Sequence, residues 1–452
     1  MPKKRAASAL RLGASVKLSS RGVARLQGRH PWVYRSDVVD AKDVLPGAAV
    51  RVLDSRGKFL GTALYSSSSQ IAIRMISHGS VSDLPGLVAE RIRAAIAYRK
   101  ELVRNTDAYR IVFSEADFLP GLIVDRYNDV VTLQILTQAM DAPPVREAVL
   151  QTLVDGAHVG AGALTCPAEQ SSADAGSTRE SGRATTAAPH PAGVVERVDA
   201  RIRDLEQLPP RQSGLLWGDK SSTVINMNGG NMNGGHMNGG MTGGEGSNAV
   251  RFHYDGLEGQ KTGAFLDQRE NYAAAAEYAH GEALDAFCYQ GGFALHLAAK
   301  CASVTGVDSS RPALEMAEKN AALNGRELEW IEGNAFDLLR EYAAANRRYD
   351  TIVLDPPAFA KTKRDLEKAL GGYKELNLRA LKMLRPGGVL VTCCCSFHVG
   401  TSDFLGVVAD AARDAHKSLR LVENRGAAKD HPILLNVPET SYLQCLIFIV
   451  SD

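Results

Sequence analysis

Residues 284–293 read Leu284-Asp-Ala-Phe-Cys-Tyr-Gln-Gly-Gly-Phe293. An apolar strand gives way to an acidic residue, and two glycines then open an apolar, helix-forming stretch. Gly291 and Gly292 permit close approach of backbone to a ligand, as the first strand-to-helix turn of an open α/β sheet requires. The spacing is not Gly-x-Gly-x-x-Gly, and no Gly-Lys-Ser/Thr follows. A pyrophosphate or nucleoside triphosphate is therefore disfavoured, and with it a hydride-transferring enzyme. Asp285, Gly291 and Gly292 are candidate ligands of a different cofactor.

Outward from this turn, strands and helices alternate, the mark of a doubly wound α/β sheet. Strands are expected at 283–287, 303–307, 328–331, 351–354, 389–395 and 443–450. Helices are expected near 293–300, 311–324, 335–346 and 374–383, with Pro386-Gly-Gly388 as the turn feeding the fifth strand. The second strand ends at Asp308, where a carboxylate suits a ribose diol. Ser309 and Ser310 can cap the following helix in its place. The third strand runs into Glu332-Gly-Asn334, and Asn334 is the candidate reader of an adenine edge, with a helix cap as its plain alternative.

Strand four ends as Val353-Leu-Asp-Pro-Pro-Ala-Phe359. Two prolines lack backbone donors and stiffen the segment beyond the sheet edge, which aims Asp355 into the crevice where open α/β folds bind ligands. Strand five ends as Leu390-Val-Thr-Cys-Cys-Cys-Ser396. Alternation puts Cys393 and Cys395 on one face and Cys394 on the other. If strands four and five are neighbours, Cys395 emerges beside Asp355, and a partly exposed thiolate there can act as a nucleophile. Cys288, Cys301, Cys394 and Cys445 read as small core hydrophobes.

Residues 15–78 form a different module. Short strands at 15–18, 49–54, 59–64 and 70–76 alternate with turns such as Asp54-Ser-Arg-Gly57. Residues 1–78 carry fourteen Lys/Arg against four Asp, a net +10 in a chain of net +1. A small basic barrel on an acidic body points to a polyanion partner. A helix at 84–105, strands at 110–113, 121–127 and 130–136 and a helix at 144–155 suggest a central α+β domain. Two stretches look inserted: 163–192, rich in Ser, Ala, Thr, Gly and Pro, and 226–247, which repeats Met-Asn-Gly-Gly. The expected domains are 1–80, 81–258 and 259–452. No apolar run approaches the ~20 residues of a membrane span. The basic start is not followed by a signal-peptide core. Seven cysteines without C-x-x-C spacing fit a reducing cytoplasm and no metal site.

Asp285-Ala-Phe-Cys-Tyr-Gln-Gly-Gly-Phe293, Val307-Asp308, Asp355-Pro-Pro-Ala-Phe359 and Thr392-Cys-Cys-Cys-Ser396 resemble, in order, motifs of class I methyltransferases acting on ribosomal RNA. The match is to bacterial large-subunit ribosomal RNA 5-methylcytosine methyltransferases of the RlmI type. Gly28-Arg-His-Pro-Trp-Val-Tyr34 is similar to that family's N-terminal PUA module, and Glu115–Tyr127 to its central domain. Gly259-Gln-Lys-Thr-Gly-Ala-Phe-Leu-Asp-Gln-Arg-Glu-Asn271 is similar to its lead into the catalytic domain. The resemblance implies a Rossmann-like methyltransferase fold that uses S-adenosyl-L-methionine on large-subunit ribosomal RNA and takes part in rRNA processing. It implies cofactor contacts at Asp285, Gly291, Asp308 and Asn334, with Asp267 and Gln268 in addition. It also implies covalent attack on carbon 6 of a flipped cytosine by Cys395, with Cys393 second in line, while Asp355 holds the ring. Ala358 stands where many RNA 5-methylcytosine enzymes carry a product-releasing cysteine. Oligomeric state is left open, a homodimer included.

Two rivals remain at the level of sequence. Methylation of a base nitrogen would use Asp355-Pro-Pro with an aromatic neighbour and no cysteine, although Phe359 lies one residue later than that pattern has it. A ribosome assembly factor without catalysis would need only the RNA- and cofactor-binding parts.

Overall fold

The computed structural model describes residues 14–156, 190–228, 249–258, 264–360 and 362–451. Most of both expected insertions, and residues 259–263 of the lead-in segment, lie outside them. Near the N-terminus, β1 (Ser15–Leu18), α1 (Ser20–Gln27), β2 (Trp32–Tyr34), β3 (Val38–Asp40), β4 (Ala49–Leu53), β5 (Phe59–Tyr65) and β6 (Ile71–Ser77) follow in turn. The strands form one sheet ordered β2-β6-β5-β4-β1-β3 around Val16, Leu18, Val33, Val50, Val52 and Ile73. The sequence pattern misses α1, β2 and β3. The two strands have three residues each, too few to show an alternation, and α1 is mostly polar.

Next come α2 (Leu84–Leu102), β7 (Ala108–Phe113), β8 (Leu122–Tyr127), β9 (Val130–Ile135), α3 (Pro143–Asp155), β10 (Gly193–Glu196), α4 (Ala200–Leu205) and β11 (Gly214–Gly218). Strands β7 to β11 make a sheet whose apolar face packs on α2 and α3 through Val88, Ile92, Val145 and Val149. β12 (Ser222–Asn228) and β13 (Val250–Asp255) form a hairpin. The expected insertion at 226 therefore starts too early, because Asn226–Asn228 are strand. The hairpin side chains Ile225, Met227, Phe252 and Tyr254 enter the same core as Phe293, Val353 and Val391.

The C-terminal part comprises α5 (Arg269–Tyr278), β14 (Glu282–Ala286), α6 (Gly292–Leu297), β15 (Ser303–Asp308), α7 (Arg311–Leu323), β16 (Glu329–Glu332), α8 (Ala335–Ala344), β17 (Tyr349–Leu354), α9 (Leu366–Met383), β18 (Leu384–Cys394), α10 (Thr401–Asp414), β19 (Ser418–Arg425) and β20 (Gln444–Ser451). The strand order is β16-β15-β14-β17-β18-β20-β19, with β20 antiparallel to both neighbours. Helices cover both faces, which explains the near-continuous apolar strands. The order reverses between β15 and β17 around the central β14, so a crevice opens over the carboxyl ends of these strands. Pro386-Gly-Gly388 is not a turn ahead of strand five. It lies inside β18, where the register with β17 slips between Tyr349 and Thr351, so the two glycines make a bulge.

The bodies are joined by buried charge. Asp430, between β19 and β20, accepts from the Arg110 amide at 2.8 Å and from Arg269 at 3.4 Å, while its carbonyl accepts from Arg99 at 3.0 Å. Among the described residues, no helix is long and apolar enough to cross a membrane.

Candidate active site

The loop after β14 is held in an unusual conformation. Phe287, Tyr289 and Gly291 have φ of 71°, 48° and 86°, the left-handed region that only glycine adopts freely. Such strain persists only where the surroundings enforce it. Here the Phe287 and Cys288 amides both donate to the Val307 carbonyl at 2.9 Å, and the Tyr289 amide donates to Asp308 Oδ2 at 2.9 Å. Asp308 Oδ1 accepts from the Ser310 amide at 2.9 Å. The helix cap is Ser310, whose hydroxyl accepts from the Ala313 amide. Asp308 thus shapes the loop and leaves capping to the serine.

Asp285 lies at the end of β14 and is fully buried. Its Oδ2 accepts from the Ala294 amide at 2.8 Å, and its Oδ1 is buried with no hydrogen-bond partner. Burial pushes this carboxyl well above the usual carboxylate range; the Ala294 amide opposes the shift, and the Asp355 and Asp308 charges add to it. An orphaned acceptor below a strained glycine loop is a place for a ligand donor. Gly291 opens α6 from the left-handed region. Gly292 has another reason to be glycine: a Cβ there would lie 2.5 Å from Cζ of Tyr272. Gly292 thus also permits close packing of α5 on α6.

Asn334 is exposed, and its side chain accepts from the Phe336 amide at 2.9 Å as the N-cap of α8. This is the plain alternative weighed for it. Asp267 is buried; its Oδ2 accepts from the Tyr442 hydroxyl at 2.6 Å and its carbonyl from the Ala428 amide at 2.8 Å. Asp267 therefore anchors the β19–β20 connection. Gln268 turns the other way and donates through Nε2 to both Asp355 carboxylate oxygens, each at 3.0 Å.

β17 and β18 are neighbours, so their tips meet. Asp355 is half-buried there, and Cys395 Sγ lies 3.5 Å from the Pro356 carbonyl oxygen, within hydrogen-bonding reach. β18 ends at Cys394, so Cys395 has left the ladder and is partly exposed. Cys393 is fully buried opposite Cys445; burial, then the Cys445 thiol and the Asp355 charge, push its thiol well up, with Gln268 opposing. Cys394 faces the other core, and burial raises it too, against hydrogen bonds from Tyr373 and Ser396. Phe397 and His398 meet edge-on at 5.2 Å.

Two residues not singled out in the sequence lock the tips together. Ser396 Oγ accepts from the Phe359 and Ala360 amides at 3.0 and 3.2 Å and is 3.0 Å from the Tyr373 hydroxyl. In the sequence Ser396 stands only as the residue that closes the cysteine run, and nothing local ties Tyr373, 23 residues upstream, to it. Among the described residues, no group of three or more His, Cys, Asp or Glu could hold a metal ion.

Comparison with known proteins matches residues 16–78 to a PUA-like domain and residues 242–449 to an S-adenosylmethionine-dependent methyltransferase family. The chain is 34% identical to "Ribosomal RNA large subunit methyltransferase I" of Shewanella denitrificans, covering 96% of this chain and 98% of that protein. The Photobacterium profundum protein of that name is 32% identical over 93% of this chain and 95% of its own length. A Streptococcus mutans structure described as a SAM-dependent methyltransferase superposes with a TM-score of 0.72 at 17% identity, covering 96% of this chain and 100% of that one. A methyltransferase structure complexed with SAH gives 0.72 at 16% identity with the same coverage. These two structures bear on the fold alone.

Proposed function

The chain belongs to the ribosomal RNA large subunit methyltransferase I family, and from that premise we propose that it methylates carbon 5 of a cytosine in large-subunit ribosomal RNA. The observation that carries the reading is the meeting of the two strand tips: a partly exposed Cys395 thiol beside the Pro356 carbonyl, and the Asp355 carboxylate held by Gln268. S-adenosyl-L-methionine fits the crevice, because Asp285 offers an unpaired buried oxygen and Gly291 opens the loop above it. Asp285, the Gly291 loop and Asp308 would hold it, and when bound it supplies an electrophilic methyl group.

The chain's own part follows from nucleophilic catalysis. Cys395, as thiolate, adds to carbon 6 of a cytosine turned out of its helix, which makes carbon 5 electron-rich. Asp355 faces nitrogen 3 and holds the ring as that nitrogen gains a proton. After carbon 5 has been methylated, a base removes its proton, the ring expels the Cys395 thiolate, and nitrogen 3 gives up the proton it had gained. Of the three consecutive cysteines, Cys393 and Cys394 are enclosed in the two cores, which leaves Cys395 the reachable thiol. The rival nitrogen methylation needs an aromatic ring offered to the base. Phe359 packs on Phe336 and Tyr373 at 5.7 and 4.7 Å, which argues against that role. The basic N-terminal sheet supplies an RNA-binding surface.

RNA carrying 5-fluorocytidine tests the scheme, since fluorine replaces the proton that must leave. A denaturant-stable protein–RNA adduct is expected with the native chain and is expected to vanish in Cys395→Ala. An adduct that persists in Cys395→Ala, or full methyl transfer by that variant, would sink the covalent route.

A further inference from the structure

Resting on the reading of Asp355 just given, we infer that Gln268 is a positioning residue that fixes the Asp355 carboxylate, and that Asn271 and Arg425 fix Gln268 in turn. The two prolines after Asp355 stiffen its backbone but leave its side-chain torsions undetermined. The order comes from a polar relay through two buried amides. Arg425 Nε donates to Asn271 Oδ1 at 3.0 Å. Asn271 Nδ2 donates to Gln268 Oε1 at 2.7 Å and to the Gly426 carbonyl at 3.0 Å. Gln268 Nε2 then donates to both oxygens of Asp355.

Both ends of the relay are chemically one-sided. Guanidinium has donors only, and an ionised carboxylate has acceptors only. Each amide between them therefore has a single orientation that satisfies the chain, and a flip of either breaks three contacts. Gln268 and Asn271 are 3% and 1% exposed, so water does not stand in for a lost partner. Their spacing of three residues at the start of α5 sets them on one helix face. Arg425 ends β19, so the relay crosses the carboxyl edge of the sheet from an outer strand to the tip of β17. Gln268 thereby acts through Asp355.

A double-mutant cycle tests this. Gln268→Met keeps the side-chain volume and removes the donor; it is combined with Asp355→Asn, and single-turnover transfer of labelled methyl is measured. S-adenosylhomocysteine affinity is followed by calorimetry, and folding by urea midpoint. Gln268→Met is expected to slow transfer by about 10²-fold in the Asp355 background, the scale of a misplaced reacting group. In the Asp355→Asn background it should change the rate by less than about 2-fold, because the interaction has already been lost. If Asp355→Asn transfers too slowly to measure, Asp355→Glu serves as the background, since its longer arm also leaves the Gln268 donor. Equal losses in both backgrounds, or a loss carried wholly by weaker S-adenosylhomocysteine binding, overturns the inference. Full transfer by Asp355→Asn alone would overturn the reading of Asp355 itself. Asn271→Asp keeps the acceptor toward Arg425 and loses the donor to Gln268, and should slow transfer only while Asp355 is present.

Discussion

Replacing Ser396 by Ala removes one oxygen and unfastens the two strand tips. The Ser396 hydroxyl is buried, at 1% residue exposure, and it accepts from the Phe359 and Ala360 amides. A hydroxyl has two lone pairs and one proton, so both lone pairs are spent on these amides and the proton goes to Tyr373. Without the oxygen, the buried Ala360 amide and the part-buried Phe359 amide lose their acceptor. An unsatisfied buried group costs about 1–3 kcal/mol, so a total of about 2–4 kcal/mol is expected. Tyr373→Phe removes only the outer partner, leaves both amides satisfied and should cost about 1 kcal/mol. Urea unfolding followed by circular dichroism gives both numbers, and labelled-methyl transfer gives the consequence. Because Asp355 and Cys395 flank the fastened segment, Ser396→Ala should also slow transfer by about 10²-fold in protein that is still folded. Equal destabilisation by the two variants, or native transfer by Ser396→Ala, would refute the reasoning.

Gly292→Ala should destabilise by about 1–3 kcal/mol through overpacking, because its Cβ would lie 2.5 Å from the Tyr272 ring. Gly371→Ala in α9, with nothing within 4 Å, should stabilise by about 0.5–1 kcal/mol, and urea midpoints of the pair read the opposite signs. Burial would lift the Asp430 carboxyl, but the His431 and Arg269 charges and the Arg110 amide hold it far below the usual range. Its stabilisation is therefore complete above about pH 4 and is lost as pH falls further, so Asp430→Asn should cost about 3–5 kcal/mol at pH 7 and progressively less in acid. Burial lowers the His296 pKa to about 4, against the Gly292 carbonyl that accepts from its Nδ1. Between that value and the unfolded value of 6.5 the unfolded chain binds more protons, so stability falls as pH drops through this window. From pH 6.5 to 5 the native chain should lose about 2 kcal/mol that His296→Gln does not, and a difference between the two that stays constant across urea titrations rules this out.

Much of the sheet was legible because parallel strands buried on both faces are apolar runs, and their order follows from alternation with helices. Strand β19, Ser418–Arg425, escaped notice because it is an edge strand with Arg420, Glu423, Asn424 and Arg425 among its eight residues. Helix α5 was missed as well: its run of four alanines shows no amphipathic stripe, and its role is set by Tyr272 packing on Gly292. Asp308 and Asp355 could be placed at strand tips because the first ends and the second directly follows an apolar strand, and Asp285 lies one residue before the end of its own. What they touch could not be read, since Tyr289, Ala294 and Gln268 reach them through a loop conformation and a helix start that no local pattern encodes. Asn334 shows the converse, a motif position whose observed contact is the ordinary one of its residue type at a helix start.

The cysteine run shows how one strand separates three identical side chains. Alternation along β18 sends Cys393 toward Cys445 and Val391 and sends Cys394 toward the opposite cluster with Tyr373, both at zero exposure. A thiol so enclosed is harder to ionise, and both are displaced upward by burial. Reactivity at neutral pH needs thiolate character and access together. The ladder ends at Cys394, and the next residue therefore leaves the sheet instead of returning to the first face. Ser396 then draws the chain back by taking the Phe359 and Ala360 amides, which holds Cys395 against the Pro356 carbonyl. The sulfur reaches the Pro356 carbonyl because the strand stops one residue before it and the fastening begins one residue after. Lengthening β18 by one ladder position would turn Cys395 into a third core cysteine without changing a single residue type.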